Sequence, residues 1–204
     1  HPHIYQWIEQ NNKLYDFVLT FDEYLLSKGQ NYLYYPHGRC WINHYKETKK
    51  ENKISTIASG KNTTEGHQLR HKIISKYRDD ISVYGHGYNP VEFKEESLLQ
   101  YMYSITIENC RQPGYWTEKI VDCFASKSIP LFWGDDAVND YFDKEGIIYF
   151  ENEEELGDII KDLKENGDEI YNSKKEAIEY NFKKVEEYRI PEDWMYLNYP
   201  FLFK

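Results

Sequence analysis

The stretch SITIENCRQPGYWTEKI, residues 104–120, decides the fold of this chain. A β-rich run ends at Glu108-Asn109, a Pro-Gly loop follows, and a helix opens at Thr117, whose side chain suits the N-cap position. The backbone N–H groups at the start of such a helix have no partner within the helix and attract anions. The stretch therefore predicts a strand, a loop and a helix start that suits an anion such as a diphosphate.

Three basic residues lie near this predicted anion site. Lys119 is in the first helical turn, where a cation is mildly unfavourable for the helix dipole, so a bound anion would explain its presence. Arg70 lies on the helix that follows an earlier strand, and a guanidinium suits bidentate binding of a phosphate. Lys61, in the loop before that helix, could also reach a phosphate. A solvated or ion-paired side chain is the structural alternative for each of them.

Strands and helices alternate outward from this stretch. The alternation from residue 53 to residue 166 is typical of βαβ units and predicts an α/β fold with a mostly parallel sheet covered by helices on both faces. Ligands of such folds bind beyond the carboxyl ends of the strands. The predicted strands are 16–20, 31–35, 53–58, 81–84, 103–107, 129–133 and 146–150. The predicted helices are 23–27, 64–77, 92–100, 117–126, 137–142, 153–166 and 168–187, before an aromatic tail.

Composition excludes several classes of protein. The 204 residues carry a formal net charge of -10, which argues against a nucleic-acid partner because proteins that coat nucleic acid are usually basic. The mean hydropathy of -0.82 and the lack of a run of about 18 apolar residues make a membrane-spanning helix unexpected. Aromatic residues make up 17% of the chain, which is enough to build a core and is unlike a disordered protein.

The cysteines and the first residue indicate in which cellular compartment the protein is expected. Cys40, Cys110 and Cys123 are odd in number and lack metal-ligand spacing, so we expect reduced thiols with structural roles and no metal site. The chain starts at His1 without an initiator Met or the apolar segment of a signal peptide. We expect a cytoplasmic protein, or one of the Golgi lumen if a trimmed N-terminal anchor preceded residue 1.

The segment 104–134 resembles the C-terminal domain of glycosyltransferase family 10, the α-1,3/1,4-fucosyltransferases. The features that carry the resemblance are the strand that ends in Glu108-Asn109, the block Tyr115-x-Thr117-Glu118-Lys119, and a Pro-containing strand that leads to Gly134. The upstream order also fits, and the resemblance covers about residues 50–165. Exostosin-like transferases share a looser version of the turn and the Pro-containing strand, so transfer from another nucleotide sugar stays open.

The resemblance implies a GT-B fold, of which this chain would hold the Rossmann-like donor half with a helical C-terminal tail. Residues 51–204 would form the nucleotide-sugar domain, and residues 1–50 would be a remnant or the end of the acceptor-side domain, or a linker. The resemblance further implies that Arg70 and Lys119 contact the diphosphate and that Glu118 contacts the ribose. Asn109 and Tyr115 would line the nucleotide site.

The activity implied is inverting, metal-independent transfer of fucose from GDP-fucose to a hydroxyl of a glycan acceptor, with no further cofactor. Fixed cations and a helix N-terminus can stabilise the departing GDP without a metal. The family's general base belongs to an acceptor domain, for which only about 50 residues remain upstream. One alternative is therefore a non-catalytic or incomplete nucleotide-sugar-binding domain that needs a separate acceptor half. The candidate replacements for the base are Asp22, Glu23, His37 and His86.

Overall fold

The computed structural model of the chain describes residues 2–36 and 38–203. The N-terminal part forms a small unit in which two short strands pair in parallel. Phe21 and Tyr115 bring this unit against the rest of the chain, with ring centroids 5.3 Å apart. Its elements are α1 (Pro2–Asn11), β1 (Val18–Thr20), α2 (Glu23–Leu26) and β2 (Tyr32–Tyr34).

A second, five-stranded sheet forms the centre of the molecule. Its strands are β3 (Glu51–Ile57), β4 (Ser82–Tyr84), β5 (Tyr101–Ile107), β6 (Ile129–Trp133) and β7 (Ile148–Tyr149). They pair in parallel in the order β4-β3-β5-β6-β7, which confirms the predicted parallel α/β sheet. The chain leaves β3 towards one edge and returns as β5 on the other side of it. Such a reversal creates a crevice beyond the carboxyl ends of the two strands, where ligands bind.

Helices cover both faces of this sheet. Every residue of β5 and β6 is buried, as expected for parallel strands with both faces covered. One apolar cluster includes Ile73 and Leu156, and the other includes Ile120 and Phe124. The covering helices and those of the tail are α3 (Glu65–Tyr77), α4 (Glu118–Ala125), α5 (Glu153–Ser173), α6 (Lys175–Lys184) and α7 (Pro191–Asn198). Within the described ranges no helix combines the length and apolarity needed to cross a membrane.

Four predicted helices differ from the structure. The predicted helix 92–100 is reduced to a 3-10 turn, Lys94–Ser97, because the Glu96 carboxylate accepts the N–H groups of the residues before it and the chain must extend again at Tyr101. The predicted helix 137–142 is likewise a 3-10 turn, Asp136–Asp140. The predicted break between residues 166 and 168 was wrong, because α5 continues to Ser173.

Gly167 explains the wrong helix boundary. A glycine within a helix costs only about 1 kcal/mol relative to alanine, so it need not end one. At this position a Cβ would lie 2.2 Å from the Asn52 side-chain oxygen, and the Asn52 amide donates to the Leu163 carbonyl at 2.9 Å. The glycine therefore allows α5 to approach the start of β3 closely.

The cysteines are free thiols in two kinds of surroundings. Cys40 and Cys123 are buried, and burial raises the pKa of each thiol to about 11. Cys110 is partly exposed, and burial also raises its pKa. The two buried thiols pack as small apolar side chains in the core cluster on the α4 face.

Lys50 makes the stability of the fold depend on pH. Its ammonium donates to the carbonyls of Leu98 and Tyr101 and to the Ser128 hydroxyl, and burial lowers its pKa to about 7. An unfolded lysine keeps its proton to about pH 10.4, so between the two pKa values the unfolded chain binds more protons and stability rises with pH. Urea unfolding from pH 6 to pH 9 should show a stability gain, relative to Lys50→Met, of the order of 1 kcal/mol per pH unit above pH 7. Lys49 is exposed, so the difference in stability between wild type and Lys49→Met should not change with pH over this range.

Candidate functional site

A cavity of about 560 Å³ opens at the carboxyl ends of β3 and β5. It lies where the strand order reverses, as expected for a ligand site in a parallel sheet. Four of the five residues expected to contact the nucleotide sugar line it together, namely Arg70, Asn109, Glu118 and Lys119. Lys61 and His86 line the same cavity.

A buried carboxylate organises the start of α4. Glu108 is fully buried and accepts the Thr117 N–H at 2.9 Å, the Thr117 hydroxyl at 2.7 Å and the Lys119 ammonium at 2.9 Å. Thr117 is also the N-cap of the helix, as predicted. The Glu108 carboxylate offsets the unfavourable position of Lys119 in the first helical turn. The sequence signal for this arrangement was an acidic residue at the end of a buried strand.

Arg70 is a buried cation that has no paired carboxylate in the described part of the chain. Its side chain is on α3, the residue is 7% exposed, and its Nη2 donates to the Ile107 carbonyl at 2.5 Å. Among the described residues no carboxylate lies within 4 Å of its guanidinium. Burial lowers the pKa of Arg70 and nearby Glu108 and Glu118 raise it, so the side chain keeps its charge. A guanidinium has five N–H donors, and the cavity gives the remaining ones access to an anionic ligand.

The other predicted nucleotide contacts differ in position. A Glu118 carboxylate oxygen lies 3.8 Å from the Lys119 ammonium on the cavity wall. Tyr115 is outside the set of residues that line the cavity, because its ring packs on Phe21. Burial raises the pKa of the Tyr115 phenol, and a hydrogen bond with the Asn109 side chain opposes this rise. Tyr115 is thus bonded to Asn109, which lines the cavity.

His67 is a cavity residue that the sequence interpretation missed. It is 7% exposed, and burial together with Arg70 and Lys61 lowers the pKa of its imidazole, which favours the neutral form. Its Nδ1 lies 3.4 Å from the Thr63 hydroxyl. Residues three apart lie on one face of a helix, so the spacing to Arg70 was the signal that could have found it.

The candidate general bases are dispersed. Asp22 is buried away from the cavity, where it accepts the Tyr5 hydroxyl at 2.8 Å and the Gln112 amide at 2.5 Å, and Glu23 is exposed on α2. His86 lines the cavity, whereas His37 lies outside the described residues. Glu118 is the one carboxylate residue among the described residues that line the cavity. Across residues 2–36 and 38–203, no group of three or more His, Cys, Asp or Glu residues could hold a metal ion.

Gly66 holds α3 against the strand end. Its N–H donates to the Asn109 carbonyl at 3.1 Å, and a Cβ here would lie 1.7 Å from the Glu108 carbonyl oxygen. Gly66→Ala should therefore push the start of α3 off the sheet and lower the free energy of unfolding by about 1–3 kcal/mol, measured in urea. Gly60→Ala is the matched control, because a Cβ there meets nothing within 4 Å. Equal stability of the two variants would contradict this role of Gly66.

Comparisons with known proteins agree with this geometry. A family model described as glycosyltransferase family 10 (fucosyltransferase) C-term matches residues 47–190. The chain is 28% identical over 184 residues to a putative fucosyltransferase of Acanthamoeba polyphaga mimivirus, a match over 77% of this chain and 30% of that protein. It is 40% identical over 80 residues to the alpha-(1,3)-fucosyltransferase FucT of Helicobacter pylori, over 38% of this chain and 16% of that protein.

Solved structures show the same fold. A crystal structure of an alpha1,3-fucosyltransferase with GDP-fucose superposes with a TM-score of 0.57 at 22% identity, over 78% of this chain and 60% of that chain. S. aureus TarM superposes with a TM-score of 0.54 at 15% identity, over 94% of this chain and 45% of that chain. The chain therefore spans less than a third of the curated relatives and about three fifths of the solved fucosyltransferase. Since the family model covers residues 47–190, this chain belongs to glycosyltransferase family 10 and contains its C-terminal, Rossmann-like domain.

Proposed function

We propose that the chain takes part in the transfer of fucose from GDP-fucose to a hydroxyl group of a glycan, with inversion at the transferred carbon and without a metal ion. The observation that carries this proposal is the buried Arg70, which has no paired carboxylate among the described residues and lines the same cavity as Lys119 at the start of α4. Relatives named as fucosyltransferases, and a structural neighbour bound to GDP-fucose, support the choice of donor.

The donor's diphosphate is the part that the cations recognise. Arg70 would hold its oxygens with paired N–H donors, and Lys119 would add a second charge beside the free N–H groups of the helix. The Glu118 carboxylate can accept hydrogen bonds from the ribose hydroxyls, and Asn109 would bind the nucleotide at the end of β5. The ion pair between Lys119 and buried Glu108 holds the ammonium in place before the donor binds.

The same groups would assist the reaction. The bond between the anomeric carbon and the diphosphate oxygen breaks, the electron pair stays with the departing GDP, and the acceptor hydroxyl attacks the opposite face of the sugar. Negative charge then grows on the diphosphate, where Arg70, Lys119 and the N-terminus of α4 stabilise it. The acceptor's proton passes to a base, which must lie within hydrogen-bond distance of that hydroxyl.

A second candidate function is donor binding without transfer. The observation in its favour is that the described cavity lining has one carboxylate residue, Glu118, which the donor's ribose would occupy. On this reading a separate acceptor half supplies the base, and the chain alone binds the nucleotide sugar without transferring the sugar. His67 and His86 also line the cavity, and a neutral imidazole of this kind could take the proton instead.

Calorimetric titration of the chain with GDP, GDP-fucose and UDP, with and without EDTA, tests the donor assignment. We expect GDP and GDP-fucose to bind more tightly than UDP and EDTA to leave their affinities unchanged. Absence of GDP binding, or its loss on addition of EDTA, would contradict the proposal. Incubation of GDP-fucose with oligosaccharide acceptors then separates the two candidate functions. Product whose anomeric configuration is inverted by NMR supports transfer, whereas binding without product supports a donor-binding half.

A further inference from the structure

Trp41 lines the nucleotide cavity although it precedes the family-matched residues 47–190. Its side chain is large and apolar, yet the residue is 52% exposed. Its backbone N–H donates to the Asp122 carboxylate at 2.7 Å, and Asp122 is fully buried on α4. This hydrogen bond connects the irregular segment before β3 to α4, whose first residues line the cavity.

Lys94 completes the arrangement around the indole. Its ammonium pairs with the second oxygen of Asp122 and lies 5.3 Å from the centre of the Trp41 ring. Lys94 also lines the cavity. One buried carboxylate therefore binds both the backbone N–H of Trp41 and the ammonium of Lys94, which are 53 residues apart in the chain.

The lining of the cavity combines cations with apolar side chains. Arg70 and Lys119 provide positive charge near the N-terminus of α4, whereas Leu98 and Trp41 provide apolar surface. Asp122 follows Lys119 by three residues, so Trp41 is anchored about one helical turn further along α4. A nucleoside diphosphate has groups that match both kinds of side chain, namely an anionic diphosphate and a flat aromatic base.

We infer that Trp41 and Lys94 recognise the nucleobase of the donor, with the base stacked on the indole and the Lys94 ammonium donating to acceptor atoms on the edge of the base. This inference rests on the proposed function, because it assumes a nucleoside diphosphate in the cavity. Stacking on an aromatic side chain binds any base. The selectivity comes from Lys94, because guanine presents a keto oxygen and a ring nitrogen on one edge, where adenine presents an amino donor beside the ring nitrogen.

Asp122 is a positioning residue in this arrangement. One of its oxygens accepts the Trp41 backbone N–H, and the other pairs with the Lys94 ammonium. A lysine held by a buried carboxylate has one preferred location, so its donors are directed before the base binds. Replacement of both charges together, by Lys94→Met with Asp122→Asn, keeps an acceptor for the Trp41 N–H and leaves no unpaired charge in the core.

The experiment compares GDP, ADP, GDP-fucose and inorganic pyrophosphate by calorimetry on wild type, Trp41→Ala and Trp41→Phe. Trp41→Ala should weaken GDP binding roughly 5- to 150-fold and leave pyrophosphate binding unchanged, and Trp41→Phe should retain most of the affinity. Phe93→Ala is the matched control, because Phe93 is also 52% exposed and lies beside Lys94 but does not line this cavity. The Lys94→Met/Asp122→Asn variant should reduce the preference for GDP over ADP at least about 5-fold.

Three outcomes for Trp41→Ala would overturn the inference while the proposed function stands. These are unchanged affinity for both GDP and GDP-fucose, loss of GDP-fucose affinity with unchanged GDP affinity (a contact to the sugar), and equal loss of GDP and pyrophosphate affinity (a disturbed cavity). An unchanged ratio of GDP to ADP affinity in the double variant would overturn the part assigned to Lys94. If wild type binds neither GDP nor pyrophosphate, the proposed function fails and this inference fails with it.

Discussion

Replacing Arg70 by glutamine is expected to weaken GDP binding by about 10- to 150-fold, because a hydrogen bond to a charged group is worth about 1.5–3 kcal/mol. The guanidinium is buried, is free of a carboxylate within 4 Å among the described residues, and lines the cavity. Glutamine keeps an amide that can donate towards the Ile107 carbonyl, so the fold should be disturbed less than by alanine. Calorimetric titration with GDP measures the effect.

The control for Arg70→Gln is Arg78→Gln. Arg78 caps the C-terminal end of the same helix, α3, and is exposed to solvent. Its replacement should leave GDP affinity within a factor of about two, because exposed substitutions away from a site change free energies by less than about 0.5 kcal/mol. Equal affinities of wild type and Arg70→Gln would contradict the assignment of Arg70 to the diphosphate. A urea titration of each variant shows whether a loss of affinity reflects a loss of fold.

Replacing Glu108 by alanine is expected to lower the free energy of unfolding by about 3 kcal/mol, because removal of one member of a buried ion pair leaves the other without a partner. The carboxylate accepts three different donors, from the backbone and side chain of Thr117 and from Lys119. Its loss removes the acceptor of the Thr117 N–H and hydroxyl at the start of α4. It also removes the carboxylate that lies nearest to the Lys119 ammonium. Urea unfolding monitored by circular dichroism measures the difference.

A double-mutant cycle separates the ion pair from the rest of the Glu108 effect. The Glu108→Ala/Lys119→Ala variant should be more stable than the sum of the two single losses implies, since neither charge is then left alone. Glu187→Ala, which removes an exposed pair with Lys184, should cost no more than about 0.5 kcal/mol. Strict additivity of Glu108→Ala and Lys119→Ala would show that Lys119 does not depend on the buried carboxylate.

Local patterns predicted the central elements well. The strand 129–133 has the predicted bounds, and Thr117 is the N-cap of α4 as its side chain indicated. The reason is that apolar runs and capping hydroxyls act within a few residues of the backbone they stabilise. The tail was predicted less well, because the position of Gly167 within α5 depends on its contact with Asn52, which is distant in the sequence.

The sequence alone therefore determined the α/β class, the parallel sheet, the family resemblance and a basic site at the start of α4. Only the tertiary structure decided which groups share the cavity. It pairs Lys119 with Glu108, buries Arg70 with no paired carboxylate among the described residues, and packs Tyr115 against Phe21. It also unites Trp41, Lys94 and Asp122, whose spacing carries no local signal. The physical reason is the sequence distance over which each effect acts. Periodicity and capping depend on residues that are neighbours in the chain, whereas burial and ion pairing depend on side chains that meet only when the chain has folded.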